Sequence, residues 1–123
     1  MAVAPGVVIF IGEQNLSGYV IKIDHGDGWS TVYMHLNNDD PGTDNGDAGE
    51  LGAFSPGLYE GATVEAGQLI GWVGDSGNAE NTTPHTHFEL KHDEEKENPF
   101  PYLEQAWIRS GRAASGSTML LAI

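Results

Sequence analysis

Alternating apolar and polar positions in the first third of the chain predict a β-hairpin. Across residues 19–25 every second side chain is apolar up to a final histidine, and the same period of two continues across residues 30–36. This period places Tyr33 and His35 on a common face of the second strand. The intervening Gly-Asp-Gly at residues 26–28 is typical of a tight hairpin turn. We therefore predict two antiparallel strands joined at that turn.

Two other apolar stretches predict further strands. The continuous run at residues 7–11 lies between Gly6 and Gly12 and predicts a buried strand. Residues 61–74 predict two short strands around a turn at residues 66–67. Closely spaced strands with glycine turns and almost no helix predict an all-β fold, a small antiparallel sandwich or groove with long loops.

The last quarter of the chain is less regular. Residues 91–97 predict a solvated charged turn, and residues 98–103 contain two prolines, which favours an ordered edge segment over a central strand. Residues 104–109 predict one or two helical turns. Residues 111–117 have the composition of a flexible linker, and the apolar end at residues 118–123 receives no role.

Residues 37–60 form a long, acidic and turn-rich connection. Loops of this length in a compact domain are usually functional or mobile, and we favour a solvated flap over a groove. A calcium-binding loop is the alternative. Its carboxylates do not fall at alternating positions before a glycine, as the familiar linear calcium motif requires.

The stretch at residues 84–90 carries the most distinctive chemistry. As a strand, it points His85, His87 and Glu89 to one face and its apolar side chains to the other. The two imidazoles then lie roughly 6–7 Å apart along the strand, which suits two groups that converge on one small site. A pair of surface histidines on a half-exposed strand explains the same pattern, and the residues alone leave both interpretations open.

Composition restricts the classes of function. The 123 residues fit one domain, and the net charge of −13 disfavours nucleic acid and anionic lipid as partners. The absence of cysteine excludes thiolate metal sites, so a metal would be held by histidine and carboxylate. No apolar run approaches the roughly 20 residues of a membrane span, and the start of the chain shows no signal-peptide pattern.

The remaining histidines differ in their expected roles. His35 ends a predicted strand immediately before the long loop, a position where sites on β-scaffolds form, and it is a candidate equal to the His-x-His pair. We interpret His25 as structural and His92 as a solvent-exposed residue of the charged turn.

Several sequence blocks in a fixed order resemble one family, the lysostaphin-type (LytM-type) zinc metalloendopeptidases of bacterial cell walls. The resemblance extends from about Ala2 to Leu103. The blocks are Ala4-Pro5-Gly6-Val7-Val8, Ile23-Asp24-His25-Gly26-Asp27-Gly28, Tyr33-Met34-His35-Leu36, Val64-Glu65-Ala66-Gly67-Gln68-Leu69-Ile70-Gly71, Gly74-Asp75-Ser76-Gly77 and Pro84-His85-Thr86-His87-Phe88-Glu89.

The resemblance implies a fold, an activity and a set of residue roles. The fold would be the antiparallel groove related to the duplicated hybrid motif, and the activity hydrolysis of peptide bonds in peptidoglycan cross-links. His87 would be a ligand of Zn²⁺, and His85 and His35 the two catalytic histidines. Residues 1–103 would form the peptidase-like domain and residues 104–123 a helical turn and flexible tail. The expected location is extracellular or in the cell envelope.

The resemblance leaves two zinc ligands unmatched. In the family they come from a His-x-x-x-Asp segment that precedes the block at residues 4–8. This chain starts almost at that block. We therefore expect weak or no zinc binding and weak or no activity. The chain would be a shortened peptidase or a degenerate relative that binds cell-wall peptide or a protein without cutting. In a third reading, substitute ligands such as Asp24, Glu89, His25 or a second copy would complete the site. A missing strand would also leave an unpaired sheet edge, which predicts self-association.

Overall fold

A computed structural model describes the backbone of residues 1–109 and 121–122. Its sheet follows the order β4-β1-β2-β3-β5-β6, and neighbours along this path are antiparallel. The elements are β1 (Gly6–Gln14), β2 (Gly18–Gly26), β3 (Trp29–Leu36), α1 (Gly49–Ala53), β4 (Thr63–Val64), β5 (Thr86–His92), β6 (Glu95–Glu97), α2 (Phe100–Arg109) and β7 (Leu121–Ala122). The all-β prediction is therefore confirmed. No helix in the described ranges is long and apolar enough to cross a membrane.

The predicted hairpin is the link between β2 and β3. Its two-residue loop places Asp27 at φ 53° and Gly28 at φ 84°. Positive φ at both loop residues is the geometry whose twist matches that of paired strands. β5 then pairs with the other edge of β3, so β3 and the His-x-His strand lie side by side.

The two faces of the sheet are packed unequally. Buried side chains of β2, β3 and β5 meet the loops that cover one face in the principal core. A much smaller cluster lies on the opposite face. The principal core comprises Ala2, Val8, Ile21, Ile23, Tyr33, Leu36, Ala53, Phe54, Ala62, Val64, Ile70 and Phe88, and the small cluster comprises Val20, Val32, Met34 and the partly buried Phe10.

The strand predicted at residues 7–11 is present in β1, but its predicted burial is wrong. Val7 is 40% exposed and Ile9 51% exposed, whereas Val8 is buried. The exposure of Val7 and Ile9 follows from strand alternation, and a shift in pairing between Val8 and Phe10 turns Phe10 to the face opposite Val8. An apolar run reveals a strand but not a bulge within it.

The long loop is anchored rather than wholly solvated. Its second half forms α1, and both the last residue of this helix, Ala53, and the following Phe54 are buried in the principal core. Residues 40–47 are exposed and are connected by short-range hydrogen bonds, such as that from the Asn45 side-chain amide to an Asp40 carboxylate oxygen at 2.8 Å. Residues 40–47 are therefore the solvated part of the loop, and the flap over a groove stays a prediction for this part alone.

The C-terminal region differs from its prediction in two places. α2 begins at Phe100, inside the segment predicted as an edge, and Asn98 Oδ1 accepts the Phe100 backbone N–H at 3.1 Å. Proline is tolerated in a first helical turn because those backbone N–H groups have no intrahelical acceptor. The charged turn at residues 91–97 is a hairpin between β5 and β6 with Asp93 and Glu94 at positive φ.

The predicted linker at residues 111–117 lies outside the described residues, as does most of the apolar end. Within that end, Leu121 and Ala122 form β7, which pairs with β5 in parallel at Thr86 and His87. The chain end thus adds a short strand beside the His-x-His motif.

Candidate active site

A bulge in β3 brings His35 to the same face as the His-x-His pair. Tyr19 pairs with Leu36 and Ile21 with Tyr33. A step of two residues along β2 therefore lies opposite a step of three residues along β3. Tyr33 and Leu36 both enter the principal core, and His35 has a φ of 57°. Simple alternation would have placed His35 beside Tyr33 in that core. The extra residue reverses its direction, so the predicted sharing of a face with Tyr33 is wrong.

The backbone and ring of His35 are both held by neighbouring loops. The His35 backbone N–H donates to Ser17 O at 2.9 Å, and its Nδ1 lies 2.7 Å from Ser76 O. Because a carbonyl oxygen only accepts, Nδ1 must carry the proton. Of the two neutral tautomers, the structure therefore selects the one that leaves the lone pair on Nε2, and the residue is only 7% exposed.

His85 is held in the same tautomer. Its Nδ1 lies 2.8 Å from Thr83 O, and its backbone N–H donates to Gly74 O at 2.9 Å. The Thr83 carbonyl again requires the proton on Nδ1, which leaves Nε2 able to accept a proton or a metal. His35 and His85 are thus two bases prepared in the same way.

The three histidines form one cluster. The ring centroid of His35 lies 5.7 Å from that of His85 and 6.1 Å from that of His87. His87 is opposite Met34 in the β3–β5 ladder, on the less packed face of the sheet. Its Nε2 lies 3.7 Å from Glu89 Oε1. The structure brings together all three histidines that the sequence singled out.

This cluster does not amount to a zinc site. A catalytic zinc requires three protein ligands that converge on one point. Within the described part of the chain, the only group of three or more histidine and acidic residues with ligand atoms within 4.8 Å of one another contains no histidine. The residues present therefore do not fit the zinc centre that the resemblance implies.

His25 is not available as a substitute ligand. Its Nδ1 lies 2.7 Å from Pro5 O and its Nε2 2.7 Å from Thr31 Oγ1, so both ring nitrogens are occupied. Its interpretation as a structural residue agrees with these contacts. Of the other suggested ligands, Glu89 lies 3.4 Å from Lys96 Nζ, and Asp24 accepts a backbone hydrogen bond in its own turn.

His92 is not simply solvated. Its ring stacks on Trp29 with centroids 4.2 Å apart and an interplanar angle of 13°. The two residues are partners across β3 and β5, which explains the contact. His92 therefore packs at the far end of β5 from His87.

A second group of titratable residues lies beside the histidines. Asp39, Asp44, Asp75 and Glu80 each direct an oxygen to within 4.8 Å of the others. Burial raises the pKa of Asp75 above its ordinary value, and the charges of Asp39 and Asp44 raise it further. Asp75 directly precedes Ser76, whose carbonyl holds His35.

The sequence reasoning missed two features of this region. Ser76 orients His35 through a backbone carbonyl, and its only signal was its place in the block at residues 74–77. The spacing His-x-x-x-Asp also occurs once, at His35 and Asp39, and was overlooked. In the structure Asp39 belongs to the acidic group, which does not include His35.

Together, an antiparallel sheet and a cluster of histidines at the ends of two adjacent strands define a lysostaphin-like domain. Residues 1–99 match the model of peptidase family M23. This chain belongs to that family, which generally depends on zinc.

The curated relatives are longer proteins. The chain is 27% identical to stage II sporulation protein Q of Bacillus subtilis over 113 residues, which is 92% of this chain and 34% of that protein. It is 32% identical over 98 residues to the DD-carboxypeptidase/endopeptidase Mpg of Neisseria meningitidis, 80% of this chain and 18% of that enzyme. The chain thus spans about a third or less of these relatives.

Solved structures agree with the family assignment. Lysostaphin from Staphylococcus simulans superposes with a TM-score of 0.67 at 27% identity, covering 95% of this chain and 42% of the enzyme. The complex of SpoIIIAH and SpoIIQ contains a chain that superposes with a TM-score of 0.64 at 28% identity, covering 82% of this chain and 59% of that one. The fold prediction is confirmed by these neighbours.

Proposed function

We propose that this chain is a family M23 domain whose histidine face receives a peptidoglycan peptide, and that its own residues bind zinc weakly and cleave weakly or not at all. One observation carries the proposal. His35, His85 and His87 form a cluster on the less packed face of the sheet, yet no three histidine or acidic ligands converge there among the described residues. Histidines that can transfer a proton therefore lie together without a complete set of zinc ligands among the described residues.

The histidines have separate proposed roles. The Nε2 atoms of His35 and His85 are the proton-accepting atoms, because Nδ1 of each ring donates to a carbonyl. Either ring can accept or return a proton at a peptide held over the face. His87, for which the resemblance implies zinc ligation, lies beside Glu89. We assign substrate contact to His35 and His85 and any residual metal affinity to His87.

Zinc titration of the purified chain tests this proposal. We expect no stoichiometric site of sub-micromolar affinity by calorimetry at neutral pH, and a His87→Ala variant should also lose any weaker zinc binding. A tight site that His87→Ala removes would overturn the proposal and favour a complete metal centre. Digestion of purified peptidoglycan, followed by chromatography of released peptides, gives the matching measurement of activity.

The peptide-binding part needs its own experiment. Soluble stem and cross-bridge peptides should shift the imidazole resonances of His35 and His85 in NMR titrations without added metal. His92, at the far end of β5, provides the internal control and should not shift. Peptides that leave all histidine signals unchanged would contradict a peptide groove.

A second candidate function is a non-catalytic module that binds a protein. The similarity to SpoIIQ favours it, because the solved structure of that relative is a complex with SpoIIIAH. The coding sequence upstream of Met1 discriminates between the candidates. If an in-frame His-x-x-x-Asp segment precedes Met1, a longer chain that includes it should gain zinc binding and activity. If the longer chain gains neither, the binding module is favoured.

Self-association and location complete the proposal. Within the described residues, β1 pairs with β4 only at Gly6 and Val7, so the outer edge of β1 beyond Val8 has no strand partner. An open edge can pair with a second copy, and we propose concentration-dependent association there. A strict monomer by size exclusion with light scattering at high concentration would refute it.

We place the protein outside the cell or in its envelope, where peptidoglycan lies.

A further inference from the structure

We propose that Asp39, Asp44, Asp75 and Glu80 form a binding site for a hard divalent cation of the calcium type. The site is distinct from the histidine cluster and does not depend on the peptidase proposal. Each residue contributes one oxygen, and these oxygens lie within 4.8 Å of one another. That spacing lets a single ion contact all four, since calcium–oxygen distances are about 2.3–2.6 Å.

A buried carboxylate oxygen without a partner points to a ligand. Asp75 is only 4% exposed, and its Oδ1 has no hydrogen-bond partner. An unsatisfied buried carboxylate oxygen costs free energy that a bound cation would recover. Asn38 Oδ1, on the residue before Asp39, is likewise buried without a partner, while its Nδ2 donates to Glu80 Oε2 at 3.2 Å.

The local charge is also uncompensated. Among the ion pairs of the described residues, none involves a member of this group. The positive side chains Lys91 and Lys96 lie instead near Glu89. Asp75 is buried, so its repulsion with the neighbouring carboxylates is only partly screened by water, and a divalent cation would compensate it.

The donor set selects the kind of metal. Carboxylate oxygens without imidazole or thiolate suit calcium, magnesium or manganese rather than zinc. Two separate loops supply the group, and calcium tolerates irregular geometry, whereas magnesium requires a near-ideal octahedron and usually keeps several waters. We therefore commit to calcium.

The ligands come from two separate loops, which explains why no linear sequence motif predicted the site. Asp39 and Asp44 lie in the loop after β3, whereas Asp75 and Glu80 flank the short 3₁₀ turn Gly77–Ala79 before β5. A bound ion would clamp these two loops together. The calcium interpretation of the long loop therefore returns in another form, with ligands from two segments.

The clamp would also position the histidines. Asp75 lies between Gly74, whose carbonyl accepts the His85 backbone N–H, and Ser76, whose carbonyl accepts His35 Nδ1. An ion held by Asp75 would fix the segment that carries both carbonyls. Asp75 is thus a positioning residue for His35 and His85 rather than a catalytic one.

Calcium titration of the chelator-treated protein tests the site. We expect one Ca²⁺ per chain by calorimetry and a rise in Tm of about 8–13 °C at a calcium concentration near one hundred times Kd. Magnesium at the same concentration should bind at least tenfold more weakly. Absence of calcium binding would overturn the proposal, as would magnesium or zinc binding to this group as tightly as calcium.

Matched variants locate the binding. Asp75→Asn keeps the shape of the side chain and removes its charge, and it should lower calcium affinity more than about tenfold. Asp44→Asn, at an exposed position, provides a second variant if the first does not fold. Asp47→Asn, an exposed carboxylate of the same loop outside the group, should bind calcium normally. Loss of binding in Asp47→Asn, or its retention in both other variants, would refute the assignment.

Imidazole NMR signals test the link to the histidines. Calcium should shift the resonances of His35 and His85 in the unmodified chain but not in Asp75→Asn. Calcium binding without such shifts would refute the positioning role of Asp75.

Discussion

The hydroxyl of Ser76 closes a gap in the sheet at the point where β3 bulges. Tyr19 and Leu36 are ladder partners, and Ser76 Oγ lies between their backbone groups. It accepts the Tyr19 N–H at 3.0 Å and donates to Leu36 O at 2.6 Å, and Ser76 is only 2% exposed. The bulge that turns His35 toward the site therefore depends on one side chain from another loop.

Ser76→Ala removes both bonds while it keeps the Cβ. Two net hydrogen bonds are worth about 1–3 kcal/mol together, and the buried Leu36 carbonyl left without a donor adds a desolvation penalty. We expect a loss of about 2–4 kcal/mol in the free energy of unfolding. For a domain of this size that corresponds to a fall in Tm of roughly 6–20 °C.

Chemical denaturation gives the free energy, and imidazole nitrogen shifts report the tautomer of His35. In the unmodified chain Nδ1 should carry the proton because it faces Ser76 O at 2.7 Å. In Ser76→Ala we expect a mixture of tautomers. Ser55→Ala is the control, since the Ser55 hydroxyl forms no hydrogen bond among the described residues, and it should cost about 1 kcal/mol or less. Equal effects of the two substitutions would refute the bridging role of Ser76.

Three further predictions concern the surroundings of the site. Gly18→Ala should destabilise the fold by more than about 2 kcal/mol in denaturant melts, because φ is +66° and a Cβ would meet the Ser76 side chain; near-normal stability would contradict this. Thr31→Val should cost about 1–3 kcal/mol, since the buried hydroxyl lies 2.7 Å from His25 Nε2, and thermal melts that match the unmodified chain would refute the contact. With chelator, the free energy of unfolding relative to Asp75→Asn should fall as pH rises from about 4 towards neutrality. Burial and nearby carboxylates raise the pKa of Asp75 in the folded chain, so the unfolded chain releases this proton at a lower pH. A difference in free energy that does not change with pH would exclude the raised pKa.

Local patterns in the sequence were sufficient for the strands and for most of the histidine face. The period of two across β2 and β5 survives folding, because each strand buries one face against the principal core. The turn at Asp27 and Gly28 follows from positive φ at two adjacent residues. His85 and His87 share a face for the same local reason.

The bulges and the loop contacts were decided by tertiary structure. Alternation placed His35 on the face of Tyr33, and only the mismatch in pairing between β2 and β3 turns it to the opposite face. The corresponding shift in β1 places Phe10 on the face opposite Val8, where alternation alone would have put both on one face. One extra residue in a strand reverses every later side chain, and no local pattern records it.

The acidic group depends still more on the tertiary fold. Asp39 and Asp75 are far apart in sequence, and the only metal-ligand spacing that includes Asp39 pairs it with His35 rather than with Asp75. They meet because loops from opposite ends of the β3–β5 connection pack together beside the histidines. The sequence by itself determined which face of β5 carries chemistry, since strand periodicity is local. Only tertiary contacts decided which groups lie near that face. These groups are His35 and the carboxylates of the acidic group.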